Sequence, residues 1–204
     1  MKKTMLLGVL MLSAAAGYAQ ESRQDVSFSG AGVFGPTIHS ATGVVQSSTG
    51  ALGLLLSYRY MLTPKSALEL NYGFAQNNQK YALNSAIDNY RIHSRQQEFS
   101  AAYVYSLNFK RFSPFVEAGG GAMFFTPVLD AETRLINTKI TKGIGGLFGG
   151  GLAYELSPSF DIRAEYRGFL VKAPSFGENN GSLDLNANRY EVISTPTIGV
   201  AYHF

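Results

Sequence analysis

The chain has 204 residues, 46% hydrophobic and 15% charged, with 22 glycines, 13% aromatics and neither cysteine nor tryptophan. Lacking cysteine, it has no disulfide framework, thiolate metal site, catalytic thiol or lipid-modified N-terminal cysteine. Lysine and arginine number 17 against 14 acids, and 15 against 14 once Lys2 and Lys3 are set aside with a leader, so no basic surface points to nucleic acid.

Met1-Lys2-Lys3-Thr4 is a short positive segment, Met5 to Ala16 an apolar run, and Gly17-Tyr18-Ala19 sets small residues before Gln20. These are the three parts of a secretory signal peptide, predicting a leader over 1–19 and an exported domain over 20–204. As a helix the apolar run would rise only ~18 Å, short of a ~30 Å hydrocarbon core. Mean hydropathy is +0.01, too polar for a bundle of membrane helices.

The exported part alternates with period two, the pattern of strands with two unlike faces. Val26, Phe28, Gly30, Gly32 and Phe34 share one face of the first predicted strand, and Leu52, Leu54, Leu56, Tyr58 and Tyr60 one face of the second. The third carries Leu68, Leu70, Tyr72 and Phe74, and the fourth Phe99, Ala101, Tyr103, Tyr105 and Leu107. Val116 to Phe124 is the fifth, Phe148 to Leu156 the sixth, Phe160 to Tyr166 the seventh and Tyr190 to Phe204 the eighth. No position on these apolar faces is charged. The opposite faces hold Arg59, Glu69, Glu98, Glu117, Glu155, Asp161, Arg163, Glu165, Arg167 and Glu191 among many Gly, Ala, Ser and Thr.

Connections alternate as well. Tight turns fall around Pro64, Lys110-Arg111 and Ser157-Pro158-Ser159, whereas long polar loops are predicted at about 35–50, 76–93, 126–142 and 172–188. Every second connection is long, so all the long loops fall at one end of an up-and-down meander. A soluble sandwich would show water a face of Lys, Thr and Glu. A face of small residues with a few charges suits the bore of a narrow barrel whose apolar face meets lipid. Hydrocarbon leaves no partner for open backbone groups, so such a sheet must close. The predicted fold is all-β, an eight-stranded antiparallel up-and-down transmembrane β-barrel with aromatic girdles at both ends.

Folding about Pro64 sets Arg59 opposite Glu69. Folding about Pro158 sets Glu155 opposite Asp161, with Arg163 one step diagonal, while Arg163 and Arg167 flank Glu165. The last strand ends Thr197-Ile198-Gly199-Val200-Ala201-Tyr202-His203-Phe204, with polar, glycine and aromatic residues at the positions of the C-terminal insertion signal of bacterial outer-membrane barrels.

With Leu54–Tyr60 and Pro114–Ala122, this pattern resembles the small eight-stranded outer-membrane barrels: the OmpA-type transmembrane domain and its opacity-protein and OmpW-like relatives. The resemblance implies the outer membrane of a Gram-negative bacterium, contact with its lipid and lipopolysaccharide, and docking to the barrel-assembly machinery through Thr197, Gly199, Tyr202 and Phe204. It also implies a lumenal charge network in which Arg59, Arg163 and Arg167 answer Glu69, Glu117, Glu155, Asp161, Glu165 and Glu191.

Two functional alternatives remain. A porin-like conduit for ions or apolar solutes would run through gaps between small lumen residues, although a barrel of eight strands is usually filled by side chains. A lipid-modifying enzyme would need a nucleophile and base at the outer rim. His39, His93 and His203 form no such arrangement, His93-Ser94 being a fragment without its surrounding motif, and Asp130, Glu132, Glu178 and Asp184 lack calcium-loop spacing. The sequence therefore points to no catalytic residue, metal or cofactor. It favours a structural role or surface contact, with a possible extracellular ligand at the loops.

Overall fold

A computed structural model describes residues 23–39, 44–83, 89–128, 140–174 and 189–204. Residues 1–19, predicted as a leader, and the loop acids Asp130, Glu132, Glu178 and Asp184 lie outside the described residues. The strands are β1 (Gln24–Val33), β2 (Ile38–His39), β3 (Val44–Ser48), β4 (Ala51–Thr63), β5 (Ser66–Leu83), β6 (Asn89–Ser106), β7 (Phe112–Pro127), β8 (Thr141–Ser157), β9 (Phe160–Lys172) and β10 (Tyr190–His203). Eight of them close a barrel. β4, β5, β6, β7, β8, β9 and β10 pair in sequence, and β1 seals the cylinder between β10 and β4, all antiparallel.

The alternation expected from the sequence is the alternation observed. In Leu54-Leu55-Leu56 the exposures are 48%, 2% and 47%, so three identical side chains divide between outside, bore and outside. Every apolar-face residue named above on β1 and β4 points away from the bore, and the small polar residues point in.

The predicted long loop at 76–93 is corrected. β5 continues to Leu83 and β6 starts at Asn89, with an unbroken register from Gln76↔Arg95 to Ala82↔Asn89. Above the lipid a strand needs no apolar outer face, so Gln76, Asn78 and Lys80 face outward while Tyr81 and Ile92 still bury inward. Likewise 35–50 contains β2 and β3, and β3 adds to β5 through Gln46↔Tyr81 and its neighbours. The predicted loops at 126–142 and 172–188 lie close to the observed strand ends at Pro127, Thr141, Lys172 and Tyr190.

The tight turns are as short as expected. Phe109 and Phe112 exchange backbone hydrogen bonds of 2.7 and 2.8 Å around Lys110-Arg111. Lys110 has φ 48°, alone among described non-glycine residues in being positive. A first central hairpin residue in that region favours glycine. Lys110→Gly should therefore raise stability by up to about 1 kcal/mol, read as a higher urea midpoint for the barrel refolded in phospholipid vesicles.

Candidate functional site: the bore and its rims

Several large ionic side chains gain room inside so narrow a barrel because the residue opposite them is glycine. The register provides this. Arg167 and Glu117 both face Gly149, Glu165 faces Gly151, and Arg163 faces Gly199. Arg167 and Glu117 stand two strands apart and meet over the glycine between them, Nε to Oε1 at 3.2 Å. A Cβ at Gly149 would come 2.6 Å from that same Oε1.

Arg167 is also 3.0 Å from Glu98 and 3.0 Å from Glu165, and its Nη2 donates to Ser100 Oγ at 3.3 Å. Nearer the tight-turn end, Arg59 Nε donates to Glu69 Oε2 at 2.7 Å. Arg163 reaches Asp25 at 3.2 Å and Glu69 at 3.9 Å. The guanidiniums of Arg59 and Arg163 lie 4.9 and 5.9 Å from the centre of the Phe115 ring. Arg59, Arg163, Arg167, Asp25, Glu69, Glu98, Glu117 and Glu165 are all buried. At effective interior dielectrics, charges this close bind one another strongly, and none is isolated.

Other predicted members stand apart. Glu155 is exposed at the tight-turn mouth, paired in register with Asp161, and Asp161 Oδ2 lies 2.9 Å from His203 Nε2 rather than beside an arginine. Glu191 is buried toward the opposite end, facing Val171. The sequence reading missed Asp25 altogether, having begun the first strand at Val26. Period two carried back one residue places Asp25 with Ser27 and Ser29 on the inner face.

Above the charges lies a second layer the sequence did not announce. Val33, Tyr81, Ile92, Met123, Phe125, Leu147, Phe169, Val171 and Ile193 form one buried apolar cluster across the bore. Tyr81 Oη donates to the Pro174 carbonyl at 2.9 Å, closing it from above. Below the charges, the tight-turn mouth is a polar cavity of about 420 Å³ whose wall includes Asn108, Lys110, Glu155, Asp161 and His203. At the other rim a recess of about 430 Å³ is bordered by Thr49, Gln76, Asn77, Asn78, His93 and Ser94. His93 thus lies in β6 at that rim, and His39 ends the two-residue β2.

Of the predicted insertion signal, Thr197 and Gly199 face Ala31 and Ser29 across the β1–β10 seam, and Tyr202 faces Val26. A Cβ at Gly199 would fall on the Phe28 carbonyl oxygen and Ser29 Oγ, so the close approach of β1 requires glycine there. The Tyr202 and Phe160 rings sit 5.1 Å apart, and Phe204 stacks on Tyr202 at 6.0 Å. Outward aromatic rings thus gather at the tight-turn end, while Phe74, Phe99 and Phe124 face out toward the long loops.

The same architecture occurs in solved barrels. The outer membrane protein OprG of Pseudomonas aeruginosa superposes with a TM-score of 0.67 at 14% identity, covering 91% of this chain and 97% of that one. Neisserial surface protein A gives 0.60 at 15% identity, with 90% and 98% covered. The outer membrane protein AlkL, solved in lipid bilayers, gives 0.59 at 19% identity, with 93% and 92% covered. No curated protein sequence matches the chain significantly. The sequence matches the family described as outer membrane protein beta-barrel domain over residues 4–204. The chain belongs to that family, and its place is the bacterial outer membrane.

Proposed function

We propose that the protein is a closed, non-conducting barrel whose role is structural and whose contacts are made at its long-loop end, facing the outside of the cell. The observation that carries this reading is the double closure of the bore. A layer of paired charges around Arg167 and a layer of packed rings around Phe125 and Phe169 lie one above the other, all buried. An ion would have to break several buried ion pairs and then cross apolar side chains, each step costing several kcal/mol.

The extended β5–β6 hairpin, widened by β3, supplies the exposed platform, and its amide-rich recess suits a polar extracellular ligand. Tyr202 and Phe204 at the tight-turn end serve as the handle for the barrel-assembly machinery. In planar bilayers the purified protein is expected to show no steady single-channel steps at 100 mV, and reproducible steps would overturn the reading. Incubated with lipid A, it is expected to leave the acyl chains unchanged by mass analysis.

One observation favours the conduit for apolar solutes. An apolar recess at β4–β5 is lined both by outward Leu54 and Phe74 and by inward Leu55, Met123 and Ile193. Under that second reading, vesicles carrying the barrel would take up a long-chain alkane faster than bare vesicles. The closed barrel predicts equal rates.

A further inference from the structure

We propose that the tight-turn mouth of the barrel is a binding pocket for a small oxyanion, a phosphate or a carboxylate, received by Arg163 on its floor and Lys110 at its rim. The mouth holds a cavity of about 420 Å³, and the charge layer and the apolar layer close the bore beyond it. Whatever enters must leave by the same opening, so this is a pocket rather than the start of a channel.

Arg163 supplies the central observation. It borders the cavity and is only 3% exposed. Its Nη2 donates to Asp25 Oδ1 at 3.2 Å, but Nε and Nη1 have no hydrogen-bond partner, Nη1 standing 3.9 Å from Glu69 Oε2. A buried guanidinium with two nitrogens unmet is costly unless a further acceptor answers them. An ionised oxygen answers best, since charge-assisted hydrogen bonds are roughly twice as strong as neutral ones. The Phe115 ring, its centre 5.9 Å from Arg163 Cζ, backs the guanidinium at the wall.

The charge that faces the cavity has the sign this requires. Arg59, Arg163 and Lys110 border it, whereas Asp25 and Glu69, the acids that pair with the two arginines, are fully buried and do not. Glu155 and Asp161 are the acids on its wall, and Asp161 Oδ2 is held 2.9 Å from His203 Nε2. Permanent cations therefore outnumber the acids facing the space, and one of those acids is engaged. Ser106 and Ser113 add hydroxyl donors.

Lys110 carries an independent sign of use. It stands at the rim with φ 48°, a conformation in which glycine would be unstrained. Backbone strain of this kind gathers at ligand clamps, and glycine would bring no ammonium to the pocket. With the long loops outside, as proposed above, the pocket opens to the periplasm, but binding itself does not depend on that orientation.

The test uses the exported barrel folded in octyl glucoside, a detergent without phosphate. Inorganic phosphate and succinate are titrated separately to tens of millimolar against chloride at constant ionic strength, and nitrogen–proton correlation spectra follow the Arg163 Nε–H signal. A saturable shift is expected with at least one of the two anions, and binding of one alone assigns the pocket to that class. Lys110→Gln should weaken binding by roughly fivefold. Lys65→Gln, exposed at the same end but away from the cavity, should leave it unchanged. Glu155→Gln should tighten binding about twofold by removing a like charge. All three variants leave the buried network intact, so folding is not at stake. No saturable shift with either anion would overturn the proposal. Undiminished binding in Lys110→Gln, an equal loss in Lys65→Gln, or weaker binding in Glu155→Gln would do the same.

Discussion

Replacing Arg167 by Met should destabilise the barrel by about 3–5 kcal/mol, a large share of the margin of a protein this size. Arg167 is 1% exposed, and its guanidinium lies within 3.2 Å of Glu98, Glu117 and Glu165. Methionine fills similar volume, so little of the loss comes from packing. The loss comes from leaving three carboxylates in a bore where Arg59 and Arg163 are already engaged with Glu69 and Asp25. The coupling is measurable. Glu117→Gln in the Arg167→Met background should cost less than the same change in the wild-type barrel, since it removes one of the stranded charges. Urea titrations of the four proteins in vesicles would give the cycle, and strict additivity would show that the two side chains do not act as a pair.

Much of this arrangement was legible in the sequence. Fold class, strand pairing about Pro64 and Pro158, and the facing of Arg59 toward Glu69 all follow from period two and the tight turns. What escaped had physical reasons. Asp25 was hidden because an edge set by the first apolar residue cuts off the polar residue before it. The apolar layer was hidden because runs such as Leu147-Phe148 and Phe169-Leu170-Val171 are greasy on both faces, and alternation of polarity vanishes there. The upper hairpin was hidden for the opposite reason: Gln76-Asn77-Asn78-Gln79-Lys80 is polar on both faces, and its strand character comes from pairing with β3 and β6 rather than from composition. The charge network depended on glycines at 149, 151 and 199, whose meaning emerges only when three strands are in register.

Arginine at Leu56 should cost about 2–4 kcal/mol, whereas arginine at Tyr60, on the same face of the same strand, should cost only about 0–1 kcal/mol. Both side chains point outward, Leu56 at 47% and Tyr60 at 40% exposure. On a water-facing surface they would therefore tolerate charge equally, within about 0.5 kcal/mol. Their difference is one of depth. Leu56 faces Phe28 and Tyr72 midway along β4, where a guanidinium must be drawn out of water into acyl chains. Tyr60 faces Gln24 and Leu68 one turn of the hairpin from Pro64, where the charge can reach the headgroups. Unfolding by urea in phosphatidylcholine vesicles measures both. A gap of at least 1 kcal/mol between the two variants is the signature of lipid against the apolar face, and equal costs would mean that this face does not meet hydrocarbon.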